Sequence, residues 1–288
     1  MSRRREHTVR PHEKEIEDWP ALQEWYRELQ AKNVQRWLFR GLRCWKWELT
    51  TKLERVAERF DEPLAKLPSI EKELLAEFQR NLHLYTNTIP DEKDTIRWLA
   101  LMQHYGAPTR LLDWTYSFYV GVFHAIEHAR RGEEAALWVL DNDWYWRKVK
   151  RKLPIRIRRA IDRDPKRGKT SKIVKALMSL RRPLVYPENP WALDDRLAVQ
   201  QGVFLMPIDL TKSFRDNLNS SLQGNDVNDH FFKLKLCCDK EFLKRGLSEL
   251  QRMNITRVSL FPGLDGFARS LENLVAMPHR FDNRAFLS

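Results

Sequence analysis

The sequence predicts a mixed α+β fold, and three observations carry that expectation. Amphipathic segments of helical period crowd the first half of the chain. Short apolar runs bounded by charge crowd the second half. Of the 288 residues, 42% are hydrophobic and 11% aromatic, enough to bury a core and too much for a disordered chain. Glycine is scarce, at 10, which speaks against propeller or collagen-like architectures.

The elements follow in order. Residues 13–32 carry Leu22, Trp25 and Leu29 on one helical face, so a helix is expected there. VQRWLFRG (34–41) is a short β-prone run ending in Arg-Gly. Residues 48–60 and 69–84 read as two amphipathic helices separated by prolines. Residues 91–104 form another, with an acidic first turn that suits the positive helix end and Gly106 as a stop. APTRLLDWT (107–115) reads as a tight turn and a short strand, and residues 117–132 as a helix stopped by Gly132. AALWVLD (135–141) is a strand. Residues 144–183 hold three short helices interrupted by Pro154, Pro165 and Pro183. Residues 194–209 end in a strand, FFKLKLCC (231–238) alternates as a half-buried one, and 240–253 is a helix. A last helix begins near Leu264. The domain reading is an N-terminal helical segment, 1–33, and a main domain, 34–288, with a basic helical insertion at 144–183.

No run approaches 18 consecutive apolar residues, so no membrane helix is expected. The basic start MSRRREHTVR lacks an apolar core, so no secretory signal is expected. Cys44, Cys237 and Cys238 cannot build a disulfide framework, which points to a cytoplasmic setting.

Charge is unevenly spread. The chain carries 51 Lys/Arg against 39 Asp/Glu, a net +12. Residues 144–183 alone hold 16 basic and 2 acidic side chains, leaving a near-neutral body. Such a tract attracts a polyanion: RNA, DNA or an acidic protein. The expected contacts are Arg147, Lys148, Lys150, Arg151, Lys152, Arg156, Arg158 and Arg159, with Trp144, Tyr145 and Trp146 as stacking faces. A solvated helical hairpin is the bland alternative.

Two short motifs have bland readings beside their chemical ones. RGKTS (167–171) ends like a phosphate loop, but Arg163 stands where the first glycine must be. HAIEH (124–128) has the spacing of a metal-binding helix, yet nothing marks a third ligand, so His124 and His128 read as helix-edge residues and no metal is expected.

WLFRG (37–41) and LMQHYGAPTRLLDWT (101–115) form a third constellation. Arg40 places a guanidinium at a strand end, and Gly41 permits close approach of a ligand or backbone. Gly106 and Pro108 fix a turn, Thr109 and Arg110 follow as donors, and Asp113 can anchor an arginine. This set suits a phosphate-bearing nucleotide. A buried structural Arg–Asp network is its alternative.

These segments resemble the FRG domain family. Its name-giving triplet is similar to Phe39-Arg40-Gly41, and its long block to Gln103–Thr115, uninterrupted here. A helix (118–129), a strand (136–141), Arg196, Gln201, Gly202 and Phe204, and the FPGLDG at 261–266 follow in the family's order, so the resemblance spans about 34–272. It implies a fold like that of ADP-ribosyltransferases, a split, mostly antiparallel sheet, to which this chain's own pattern adds N-terminal helices and the basic insertion. NAD, as substrate, would lie in the cleft. By that resemblance Arg40 and Arg110 would hold the pyrophosphate and Tyr105 or Trp114 would pack on nicotinamide. Gly41, Thr109, Asp113 and Thr115 would complete the NAD site. Arg40, His104 and Gln201 would serve catalysis, His104 as a general base. Gln200-Gln201-Gly202 stands where the superfamily places a glutamate, and a glutamine brings no negative charge. Three functions stay open: an ADP-ribosyltransferase, as a bacterial toxin or phage-defence effector with an antitoxin or immunity partner; a non-catalytic nucleotide- or nucleic-acid-binding module; and, from HAIEH, a metal hydrolase through His124 and His128.

Overall fold

The computed structural model describes residues 9–32, 34–164, 171–189, 195–222 and 226–275. The RGKTS motif therefore lies almost wholly outside the described residues, as does Pro165. The fold is mixed α+β, built on a seven-stranded, mostly antiparallel open sheet. The strands are β1 (His12–Ile16), β2 (Trp37–Leu42), β3 (Leu112–Thr115), β4 (Glu133–Asp141), β5 (Val185–Glu188), β6 (Gly202–Pro207) and β7 (Phe231–Cys238), in the order β1-β7-β4-β2-β3-β6-β5. Only β1 runs parallel to its neighbour, β7.

Thirteen α-helices are described: α1 (Trp19–Ala31), α2 (Lys52–Arg59), α3 (Leu67–Asn81), α4 (Thr95–His104), α5 (Phe118–Ile126), α6 (Asn142–Lys152), α7 (Ile155–Arg163), α8 (Ser171–Met178), α9 (Asp195–Val199), α10 (Phe214–Ser221), α11 (Lys240–Arg252), α12 (Arg257–Leu260) and α13 (Leu264–Val275). Their starts follow the local chemistry. Asp18, Thr51, Asp94, Ser117, Asp141, Ser213 and Asp239 each accept a first-turn backbone N–H.

Both faces of the sheet are covered. Phe39, Leu137, Val139, Leu234 and Leu236 pack against α1, α5 and α11 through Leu22, Trp25, Phe123 and Phe242. Leu38, Leu112, Trp114, Trp138, Leu140 and Leu205 pack on the opposite face with Leu99, Tyr145, Val149, Leu177 and Phe214. Alternate residues of one strand thus enter different cores, which is why the strand sequences read as nearly unbroken apolar runs.

Three expectations change. Residues 12–16 are an edge strand rather than the start of a helix, and Asp18 with Pro20 delays α1 to Trp19. The N-terminal segment thereby joins the main sheet, with Trp19 and Trp25 in its core. Trp144 and Tyr145 are buried at 4% and 0% exposure, so neither offers a stacking face. Tyr145 donates to the Val185 carbonyl at 2.7 Å and Trp144 Nε1 to Asp226 at 2.6 Å. No helix among the described residues is long and apolar enough to cross a membrane. The three cysteines are free thiols, and burial raises those of Cys237 and Cys238 to about 11.

Candidate functional site

The site begins at a gap in the sheet. β2 pairs with β4 along its whole length, Trp37 to Leu42, and β3 pairs with β6 along its own. Between β2 and β3 the ladder has a single matched pair, Phe39 with Thr115. Beyond that pair the strands part and a cleft opens. The Arg40 guanidinium spans the parting strands by donating to the Asp113 carbonyl.

Glycines bring a helix to the cleft's edge. A Cβ on Gly41 would lie 2.1 Å from the Gly121 carbonyl oxygen and 2.3 Å from Ala125 N. Gly41 therefore accommodates the backbone of α5, which delivers His124 to the cleft. The close approach allowed at Gly41 is thus filled by protein backbone.

The QHYGAPTRLLDWT block orders its own residues. Thr109 donates to Gln103 Oε1, and Gln103 Nε2 donates to Asp113 Oδ1 at 2.7 Å. The backbone carbonyl of Asp113 receives Arg40, so a chain of bonds runs from the turn to the cleft floor. Lys52 donates to the Gly106 carbonyl and Leu53 N to the Thr109 carbonyl, at 3.2 Å, docking the turn on α2.

The cleft encloses about 300 Å³, at the small end for ligand pockets. Its lining includes Arg40, Arg43, Arg196, Asp113, His124 and Gln200, with aromatic walls from Trp47, Trp114 and Phe261. Arg196 and Arg257 stack on the Phe261 ring at 4.4 and 4.7 Å from its centroid. Arg257 is neutralised by Glu127 at 2.7 Å, both nearly buried. No carboxylate among the described residues lies within ion-pairing distance of Arg40, Arg43 or Arg196. Burial lowers the Arg40 guanidinium to about 10, and nearby Arg55 adds to this against Asp113. It is still cationic at neutral pH. Arg40 Nε and Trp114 Nε1 are buried donors with no partner among the described residues, an unusual state for buried polar atoms. Burial, then Arg40, Arg196 and Arg257, push the His124 imidazole down to about 3. His124 is therefore neutral at any physiological pH.

The structure brings together Arg40, Gly41, Asp113, Trp114 and Thr115. Thr115 is held there by donating to the Gln200 carbonyl at 2.6 Å. The other residues expected at the site lie elsewhere. Arg110 is buried, with Nε 2.8 Å from both Glu71 carboxylate oxygens and Nη1 3.3 Å from the Pro207 carbonyl. Thr109 is fully buried in the turn, and Tyr105 is 68% exposed. His104 ends α4 with its ring against Tyr105 and does not line the cleft. Gln201 is exposed with φ at 48°, and its carbonyl receives Tyr116 N at 3.0 Å. Its neighbour Gln200 lines the cleft, donating to the Leu260 carbonyl at 2.9 Å.

Sequence reasoning did not place Arg43, Trp47, His124 or Phe261 in this site, and within Gln200-Gln201-Gly202 it favoured Gln201, whereas Gln200 lines the cleft. Phe261 stood in the FPGLDG signature and Arg196 in the spaced Arg–Gln–Gly pattern, which were the available signals. His124 was weighed only as a metal ligand. Among the described residues no three His, Cys, Asp or Glu side chains are placed to hold a metal ion.

Fold and site together define an α+β protein with an arginine-rich, aromatic-walled cleft where its sheet parts. Residues 35–134 match the family model of the FRG domain. The matched stretch runs from β2 to the start of β4 and contains Arg40, Asp113, Trp114, Thr115 and His124, while Arg196, Gln200 and Phe261 lie beyond it. No curated protein and no solved structure matches the chain.

Proposed function

We propose that the cleft is a receptor for a phosphate-bearing nucleotide, with NAD the ligand and ADP-ribosyl transfer the activity. One observation carries this reading: Arg40, Arg43 and Arg196 surround a cleft in which Asp113 is the only lining carboxylate among the described residues. Guanidinium forks recognise phosphate oxygens in pairs. The buried Arg40 Nε, unpartnered among the described residues, offers a donor that a bound oxyanion would satisfy. Trp47 and Phe261 supply apolar faces for a ring.

The residues present suit NAD in their phosphate-binding part. NAD, when bound, supplies a glycosidic bond whose cleavage releases nicotinamide. Arg40 and Arg196 would hold the pyrophosphate and keep the ligand bent into the gap. Asp113, oriented by Gln103, would set its negative charge toward the ribose. His124, held neutral, would leave the phosphate field to the arginines. The glutamines at 200 and 201 favour a second reading, in which the nucleotide binds without turnover. In either reading the toxin or phage-defence role would act through this site.

Thermal shift with NAD, ADP-ribose and AMP, together with chromatographic assay of free nicotinamide, tests both readings. Wild-type protein is expected to gain melting temperature with each ligand and to release nicotinamide in the presence of cell extract. Arg196→Ala should abolish both, and Asp113→Asn only the release. Stabilisation without release would leave the binding module, and no stabilisation by any of the three ligands would end the nucleotide reading.

A further inference from the structure

On α6 and α7 the basic insertion sorts its cations by direction, whereas Lys172 and Lys175 of α8 are exposed. On α6 the lysines turn inward. Lys148 lies 3.1 Å from Asp226 and 4.4 Å above the Trp144 ring, Lys150 lies 2.5 Å from Asp162, and Lys152 donates to the Ser220 carbonyl. The exposed cations on α6 and α7 are arginines, Arg147, Arg151, Arg156, Arg159 and Arg163, and α7 also exposes Ile155, Ala160 and Asp162. None of these five has an ion-pair partner among the described residues. Arg147 and Arg151 share one face of α6, and Arg156, Arg159 and Arg163 share one face of α7. A surface built for solubility alone has no need to make every exposed cation of these two helices an arginine, the residue that grips phosphate with a planar fork. The aromatic residues beside the arginines are withdrawn. Trp144 and Tyr145 are buried, and Trp146 stands edge-on to Tyr186. A single strand bound without stacking would forgo the contacts that hold it.

From these observations we infer that the exposed arginine face of α6 and α7 binds double-stranded nucleic acid through its backbone phosphates, without reading bases. A duplex offers a negative charge about every 1.7 Å of its axis, counting both strands, so arginines about 6 Å apart along a helix face have phosphates within reach at any base sequence. The inference is independent of the nucleotide reading of the cleft.

The test is fluorescence anisotropy on the full chain with labelled 24-base-pair RNA and DNA duplexes of random sequence. The matching single strands and polyglutamate are the competing probes. Five phosphate contacts give a slope of log affinity against log salt of about −4.5, a loss of roughly 500-fold between 50 and 200 mM salt. Replacing all five arginines by glutamine should cost at least 100-fold at 100 mM salt and flatten that slope. Circular dichroism on the same variant checks that it is folded. Arg196→Ala should leave duplex binding unchanged, which separates a failure here from one at the cleft. Binding to either duplex with this salt dependence supports the assignment. Unchanged affinity and slope in the folded five-site variant would overturn it. So would tighter binding of single strands or of polyglutamate, or no binding of either duplex.

Discussion

Arg110 stands next to Thr109 in the densest part of the motif, yet the structure gives it a partner far from the cleft. Arg110 and Glu71 are 6% and 5% exposed at the side chain, and the guanidinium meets both carboxylate oxygens. Replacing Arg110 by Met would leave the Glu71 carboxylate buried and unpaired. Breaking such a pair costs about 3–5 kcal/mol, because the remaining charge has neither water nor counter-ion. For a chain of this size that is a fall in melting temperature of about 10 °C. The assay is urea denaturation followed by tryptophan fluorescence, with NAD-induced stabilisation measured alongside. Arg110→Met should lower the midpoint strongly and leave the ligand-induced shift in place. The double variant Arg110→Met/Glu71→Leu should regain most of the loss, since an apolar pair needs no counter-charge. A single variant with the wild-type midpoint and no ligand response would refute the reasoning and return Arg110 to the pyrophosphate.

Gly41→Ala is expected to cost about 3 kcal/mol or more, because its Cβ meets the backbone of α5 rather than a side chain that can move; thermal melting reads this directly. Gln201→Gly should stabilise the protein by about 1 kcal/mol, since the residue has a positive φ and an exposed side chain, and should leave nicotinamide release intact. His124, with a folded value near 3 against about 6.5 unfolded, favours the native state in its neutral form. That contribution is fully present above about pH 6.5 and is lost as the pH falls toward 3, by up to about 1.4 kcal/mol per pH unit. His124→Asn should therefore show a flatter stability profile than wild type between pH 6.5 and 5.

Much of the secondary structure was legible because it follows from local pattern. The apolar run of β4, the alternation in β7 and the capped amphipathic helices α2 and α11 each declare themselves. β5 was hidden because its sequence, VYPE, carries a proline; Pro187 is tolerated because β5 is the edge of the sheet. β1, with four charged or polar residues in five, resembles a helix surface, and that charge suits an edge strand. α10 is so polar that only its Ser213 cap marks it. The candidate site was half legible. Arg40 and the Asp113–Thr115 stretch stood out as residue types at strand ends. The Arg110–Glu71 pair was not visible, since it joins residues 39 positions apart and nothing in Glu71's surroundings distinguishes it from a surface carboxylate. The presence of Arg43 and Trp47 depends on how a loop folds back after β2, which no local pattern records.

The parallel alliance of β1 with β7 has a consequence for synthesis. His12 pairs with Phe232, so β1 leaves the ribosome long before the strand it pairs with and must wait for it. Until then the chain has β4 made but lacks the strand that separates it from β1. A nascent chain halted before Phe231 would carry two orphan strand edges, the condition in which incomplete proteins recruit chaperones or stick to one another.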